Sequence, residues 1–331
     1  MDRDRQEDRQ NAGAPRQGRH GHLGGSDTLY YEPHIILHDL IIDRYGWTFD
    51  LATGSRAKRL SPLSGQEEPW QIKKGGCNHL IASERIVTWR TAFYDLAGIG
   101  SAPLKGMEAG CTPSLVVSGG VLNSPNYGTR LKRPRMTALA MIHQPDNDMW
   151  SRYEPDASTA QVPFRKVGYN FGAPGDRVGP DGTLWLNVEP KEMAGVTVQP
   201  ADATWFCCRA LRGDDWVAAS GILGATEILA PTQILSKEKR KQPQALRAYT
   251  VRLYFAEPED VKPGGRIFSV SLQGEEVLKD FDIAREAAKP GSPVIREFKG
   301  VQADGAIRIG LSPSAKKPAA LCGVQMLLEE P

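Results

Sequence analysis

The feature that most constrains this chain is an internal repeat. Laid without gaps at an offset of 45, residues 34–52 align with residues 79–97. His34 meets His79, Ile36 meets Ile81, Ile41 meets Ile86 and Ile42 meets Val87. Phe49-Asp50-Leu51-Ala52 then meets Tyr94-Asp95-Leu96-Ala97. A third, partial copy begins at Ser114, with Val116, Val121 and Leu122 at the positions of Ile36, Ile41 and Ile42. In each copy two short apolar runs flank a polar pair: His38-Asp39, Ser83-Glu84 and Ser118-Gly119. That pattern predicts a strand, a tight turn and a strand. A period near 45 residues with about four strands per unit is that of a β-propeller blade. Propellers close with roughly four to eight blades, and residues 28–150 supply two to three. An incomplete propeller leaves a blade face open. The chain is then the truncated tail of a longer propeller, or it needs a partner chain to cover that face. The alternative is a compact β-domain of another kind with accidental similarity.

The remaining chain is also expected to be all-β. Residues 1–27 mix charges with Gly, Gln, Arg and His and hold almost no large apolar side chain, so they read as a disordered tail. Residues 151–164 carry charge, Pro and Ser without periodicity and read as a linker. In the block 165–331, Tyr249–Phe255, Phe268–Leu272, Ile307–Leu311 and Cys322–Leu328 alternate apolar and polar residues. Alternation buries one face of each strand and wets the other, as in an antiparallel β-sandwich. Gln273-Gly274-Glu275 reads as a hairpin turn, and Phe281–Ala288 as a short helix. The 34 Gly and 24 Pro among 331 residues exceed the average share of about 12%, which disfavours long helices.

Composition excludes several classes. A net charge of +2 lacks the basic excess of a dedicated nucleic-acid binder. No apolar run is long enough for a membrane-spanning helix. The N-terminus shows no apolar signal region, so the location is left open. Five cysteines are too few for a disulfide scaffold.

Certain runs carry a resemblance to known families. Tyr169–Arg177 (YNFGAPGDR) followed by Asp181–Leu186 (DGTLWL) resembles the opening of a malectin-like domain. Tyr249–Glu257 (YTVRLYFAE) and Arg266–Asp282 resemble its middle, and Leu321–Val324 its closing strand. Residues 28–150 resemble the last blades of PQQ-like (quinoprotein-like) β-propellers, through Phe49–Gly54 (FDLATG), Gly76-Cys77-Asn78, Gly110-Cys111 and Leu122–Tyr127 (LNSPNY). The resemblance implies a sugar-binding sandwich of jelly-roll type, extending over 165–331 and docked on a propeller end. It also suggests an extracytoplasmic place for a longer precursor. Two departures stand out. The loop after Ala256-Glu257, aromatic in malectin-like lectins, is Pro258–Lys262 here and cannot stack on a sugar ring. The cysteine pair that often follows the Asn-Tyr motif is missing from Gly128–Arg135.

Candidate chemistry is sparse. His34 and His38 stand about 13 Å apart on a strand and cannot share an ion. Cys207-Cys208 lacks a matching second pair for zinc. Cys77 and Cys111 precede equivalent strands of consecutive repeats and form a candidate disulfide, the alternative being two buried thiols. The basic run Arg130–Arg135 lacks interleaved aromatics. Gly172–Gly182 lacks the ending of a phosphate loop, and there is no G-x-S-x-G. No cofactor and no metal site is marked. A neutral saccharide needs an aromatic face beside carboxylates and amides. Tyr169, Asn170, Asp176, Asp181, Trp185 and Tyr254 supply that set and are the candidate carbohydrate-binding residues. The alternative for the large aromatics is a place in the core.

Three functions follow as expectations. The first is a non-catalytic interaction protein whose sandwich binds carbohydrate. The second is the end of a quinoprotein-type dehydrogenase, whose cofactor pocket needs a closed propeller axis. The third is a structural cap without ligand.

Overall fold

Each copy of the repeat folds as an antiparallel meander in the computed structural model. The structure describes residues 34–75, 78–104, 106–110, 114–125, 138–141, 150–156, 159, 161–190, 193–207, 213–234, 244–289 and 292–329. The first meander is β1 (Ile35–Leu37), β2 (Leu40–Ile42) and β3 (Thr48–Asp50), followed by the hairpin β4 (Lys58–Leu60) and β5 (Glu67–Pro69). The second is β6 (Ile81–Ala82), β7 (Ile86–Thr88), β8 (Ala92–Asp95) and β9 (Ser101–Pro103). The third is β10 (Val116–Ser118), β11 (Val121–Asn123) and β12 (Ala138–Ala140). No closed propeller forms among the described residues.

The turns refine the repeat. In the first meander Leu37 pairs with Leu40, so His38-Asp39 is the turn, with His38 at φ 54°. In the second, the Ser83 N–H donates to the Ile86 carbonyl, which puts the turn at Glu84-Arg85. In the third, Ser118 pairs with Val121 across Gly119-Gly120, both at positive φ. The second and third turns therefore fall one residue later than the alignment predicts. Two glycines suit a turn that needs positive φ at both positions. Equivalent turns touch: the His38 ring bonds the Glu84 carbonyl at 2.7 Å.

Successive meanders share small cores. Ile42 and Ile72 of the first pack with Leu80, Val87, Trp89 and Tyr94. Met107, Ala109, Leu115 and Leu122 form the next layer. Thr88 donates to the Leu115 carbonyl at 2.5 Å, joining the second meander to the third.

The C-terminal block is a sandwich. One sheet holds β13 (Lys166–Phe171), β14 (Arg177–Val178), β15 (Leu184–Val188), β20 (Arg247–Phe255), β23 (Val294–Ala303) and β26 (Gly323–Leu328). The facing sheet holds β16 (Thr197–Gln199), β19 (Glu227–Pro231), β21 (Phe268–Leu272), β22 (Glu275–Phe281) and β24 (Ala306–Pro313). A small third sheet joins β17 (Thr204–Phe206), β18 (Gly221–Leu223) and β25 (Ala320–Leu321). Alternation decides the faces: Val251, Leu253 and Phe255 of β20 enter the core with Val270, Ile309 and Val324. The expected all-antiparallel order has one exception, because β13 pairs with β15 in parallel. The predicted hairpin is present, Leu272 pairing with Glu275 across Gln273-Gly274, both at positive φ. The predicted helix shrinks to Ile283–Glu286, capped by Asp282, while Phe281 stays in β22 and is buried.

The stretch expected to be a bare linker is packed between the two regions. Arg152 bridges to Ser101 of β9, and Ser151 bridges to Asp176 beside β14. Tyr153 and Phe164 enter the sandwich core, together with Leu63 from the β4–β5 hairpin. Beneath them Glu68, fully buried, accepts from Arg59 at 2.9 Å, from the Tyr153 hydroxyl at 3.2 Å and from the Thr159 hydroxyl at 2.6 Å. Burial pushes the Tyr153 phenol up to about 12, so it serves Glu68 as a neutral donor.

Candidate functional site

The alternation that buries Val251, Leu253 and Phe255 sends Arg252 and Tyr254 to the outer face of the six-stranded sheet. Register then fixes their neighbours. Trp185, Gly168, Gln325, Arg252 and Glu297 lie side by side in one row across β15, β13, β26, β20 and β23. Asn187, Asn170, Gly323, Tyr254 and Ile295 form the next row. The two glycines let the Trp185 indole lie against the sheet, since a Cβ on Gly168 would come within 2.2 Å of that ring.

Hydrogen bonds tie this face into a polar ledge. Gln325 Oε1 accepts from the Tyr254 hydroxyl at 3.2 Å and from Arg252 Nη1 at 3.2 Å. Its Nε2 donates to Asp181 Oδ2 at 2.7 Å and to Thr183 Oγ1 at 2.6 Å. Arg252 Nε donates to Glu297 at 2.6 Å, and Lys166 Nζ donates to the Asp181 carbonyl at 2.5 Å. Burial pushes the Asp181 carboxyl up, but bonds from the Thr183 N–H and hydroxyl and from Gln325, with the charge of Lys166, together hold it below its ordinary range. Burial raises the Tyr254 phenol despite the nearby Arg252. Tyr254 is half-buried, its ring edge-on to Trp185 at 5.0 Å.

The predicted residues divide. Tyr254 and Asp181 belong to the ledge. Trp185 is 3% exposed, sealed by Trp216 at 5.9 Å, which in turn meets Trp150 at 5.4 Å. The Arg177 guanidinium lies over both outer tryptophans. Trp185 is thus a packing residue and offers no stacking face. Tyr169 is fully buried on the opposite, inner face and donates to the Pro231 carbonyl at 2.8 Å. Its phenol is pushed far up by burial, and its ring is core. Asn170 is buried and accepts from the Ser220 hydroxyl at 3.2 Å. Asp176 is also buried, accepting the Tyr153 and Asn187 N–H groups at 2.7 Å each, so it pins two chain segments. Parity within a strand places Tyr254 outside and Tyr169, in phase with Val167 and Phe171, inside, whereas cover by Trp216 decides Trp185. Arg252 and Gln325 were missed: Arg252 shares the outer parity of Tyr254, and Gln325, on the same face, is only 1% exposed. Cys77, Cys111, Cys208, the run 130–135 and the tail 1–27 lie outside the described residues.

The loop after β20 is occupied by charge pairing. Arg266, fully buried, donates in fork geometry to Glu257 at 2.9 and 3.0 Å and to Glu259 at 3.1 Å. Lys317 pairs with Glu259 at 2.6 Å and, with Arg266, holds that carboxyl below its ordinary range. Glu257 and Glu259 are therefore engaged with Arg266 and Lys317. Among the described residues no group of three His, Cys, Asp or Glu side chains is placed to hold a metal ion. No helix among them is long and apolar enough to cross a membrane.

Residues 233–320 match the Malectin domain family model. The sandwich that contains this stretch is malectin-like, within an all-β chain. No curated protein sequence matches the chain. Among solved structures, a calcium-binding mutant of Bacteroides uniformis beta-glucuronidase 2 is similar at 11% identity and TM-score 0.41, covering 77% of this chain and 29% of that one. The plant receptor FER, in complex with peptide RALF23 and LLG2, is similar at 19% identity and TM-score 0.37, covering 51% and 40%. The ANX2 ectodomain from Arabidopsis thaliana is similar at 16% identity and TM-score 0.35, covering 50% and 42%. The chain thus spans well under half the length of each of these three.

Proposed function

We propose that this protein is a non-catalytic binding protein whose malectin-like sandwich takes a saccharide weakly on the ledge around Tyr254. The observation that carries this reading is the partly exposed Tyr254 ring beside Arg252 and the exposed Asp181, all three tied together by the buried Gln325. A ring face with fixed donors and acceptors beside it suits a neutral sugar: the ring stacks while the hydroxyls bond. The charge-paired loop after β20 offers no second aromatic, so affinity is low. Titration of the full chain with glucose disaccharides should give millimolar dissociation constants. Tyr254→Ala should weaken binding about fivefold, the loss of an aromatic contact of about 1 kcal/mol, and Tyr254→Phe should retain most of it. Micromolar binding indifferent to Tyr254→Ala would overturn the ledge as the site.

A second reading concerns the N-terminal region. Phe49 and Tyr94 are counterparts in the repeat. Tyr94 is 3% exposed and packs in the core shared with the first meander. Phe49 sits in the row Ile36, Ile41, Phe49 on the opposite face of the first meander, where Ile36 is 67% exposed. The face that in the second meander receives a neighbour is less covered in the first, where Ile36 is exposed and Ile41 and Phe49 are only partly buried. The occupant that fits is a further unit of the same repeat, presenting the side that the first meander presents to the second. This supports placing residues 28–150 in a PQQ-like propeller completed by additional repeats. It leaves the quinoprotein dehydrogenase and the ligand-free cap as outcomes that the ledge titration and a cofactor assay separate.

A further inference from the structure

We infer that the saccharide taken by the ledge carries a carboxylate, and that Arg177 receives it on the same outer face of the six-stranded sheet. The inference rests on the ledge as the seat of the sugar ring and adds the chemical class of the ligand. Register places the residue. Arg177 of β14 pairs with Trp185 of β15, so it extends the row of Trp185, Gly168, Gln325 and Arg252 by one strand. Ring contacts run back from it to the ledge. The Arg177 guanidinium lies 4.8 Å from the Trp216 ring, Trp216 lies 5.9 Å from Trp185, and Trp185 lies 5.0 Å from Tyr254. Those three steps bound the distance from Tyr254 to Arg177 to about the length of a trisaccharide.

Charge and geometry select the ligand. Two indoles hold the guanidinium, Trp150 at 5.3 Å and Trp216 at 4.8 Å, a favourable seat for a cation. Yet Arg177 has no hydrogen bond and no ion pair with any described residue. The nearby carboxylates are committed elsewhere: Asp176 accepts the Tyr153 and Asn187 N–H groups, and Asp181 accepts from Thr183 and Gln325. At the far end of the row, Glu297 takes Arg252. Arg177 is partly buried, and its Nε is enclosed without an acceptor, beyond the reach of any ligand. Its two Nη groups are unpaired but not enclosed, so they are the donors left for one. A partly buried charge without a counter-charge is unfavourable, and the planar Nη edge matches the two oxygens of a carboxylate. A neutral hydroxyl would satisfy the donors and leave the charge.

The test uses the full chain and three probes that share one sugar body: cellotriose, cellotriose carrying a uronate at its non-reducing ring, and the methyl ester of that uronate. Calorimetric titration at low salt should show the acid binding about tenfold more tightly than the ester, the worth of hydrogen bonds from a charged donor. Raising the salt to about 0.5 M should erase most of that preference, since a partly exposed ion pair is screened. Arg177→Gln should bring the acid-to-ester ratio to about one, and Arg177→Lys should keep part of the preference. Tyr254→Ala should weaken acid and ester by the same factor of about five, as for the loss of one aromatic contact. The wild-type comparison of acid with ester decides the matter whether or not the Arg177 variants fold. Equal binding of acid and ester, or a preference that survives salt and Arg177→Gln, would overturn the carboxylate site and leave the ledge standing. Acid binding that depends on Arg177 and ignores Tyr254→Ala would overturn the ledge as the seat of the ring. No binding of any probe would overturn both. A hexaglutamate peptide that displaces the acid at equal concentration would overturn the saccharide and assign Arg177 to an acidic protein partner.

Discussion

The meanders and the sandwich are both antiparallel in design, yet they hold themselves together differently. No described strand from β1 to β12 exceeds the four residues of β8, and each meander finds its core only against the next. The sandwich has strands of nine and ten residues in β20 and β23 and faces its two sheets onto one shared core. Short strands bury too little to stand alone, so a repeat array is stable through its interfaces. The sandwich closes most of its core between its own two sheets, with Leu63 and Tyr153 added from outside them. The comparison teaches that similar local patterns lead to independence in one region and to dependence in the other.

The sharpest way to break this contrast is to separate the regions. Expressed alone, residues 34–141 should show no cooperative thermal transition, whereas residues 161–331 should unfold cooperatively. A monomeric, cooperative transition in the N-terminal fragment would mean that the meanders close on themselves. Next in size is the junction. Glu68→Ala leaves Arg59 without its carboxylate and removes the carboxylate acceptor of Tyr153 and Thr159. Removing one partner of a buried pair costs about 3–5 kcal/mol, and urea unfolding of the full chain should show it. A change under about 1 kcal/mol would show that the regions are held mainly by apolar contact through Leu63 and Tyr153.

A smaller effect is expected on the open row. Ile36→Lys should alter the stability of the isolated chain by about 0.5 kcal/mol or less, as for an exposed site. It should weaken any concentration-dependent association seen by sedimentation. Unchanged association would place the contact away from the Ile36, Ile41, Phe49 face. Smallest is the ledge acid. The carboxyl of Asp181 lies below its ordinary value in the folded state. Its contribution is therefore present above the unfolded value near 3.8 and is lost as pH falls through the folded one. Stability of the wild type should fall more steeply than that of Asp181→Asn below about pH 4. Parallel curves would show that Gln325 and Thr183 hold the loop regardless of charge.

Much of the fold was legible because its signals are local. Alternation along Tyr249–Phe255 gives the buried and outer faces of β20, and Gln273-Gly274 gives the hairpin because its two turn positions need positive φ. The repeat locates the meanders, although the turns at Glu84-Arg85 and Gly119-Gly120 sit one residue later than alignment places them. The site was legible only in part. Parity along β20 exposes Tyr254, but nothing local brings Gln325 to Asp181 from 144 positions away.

The sequence by itself determined the all-β class, the inward and outward faces of the long strands and the hairpin at Gln273-Gly274, since each depends on residues adjacent along the chain. The tertiary structure alone decided that β13 runs parallel to β15, that Gly168 and Gly323 make room for Trp185, and that Trp216 then covers it. It also decided that Glu68 joins the two regions and that Arg177 lies over Trp150 and Trp216 without an acceptor among the described residues. Those outcomes depend on sheet order, register and depth. They are set by contacts between residues far apart in the chain, and a pattern read along one strand carries no information about which strand will lie beside it.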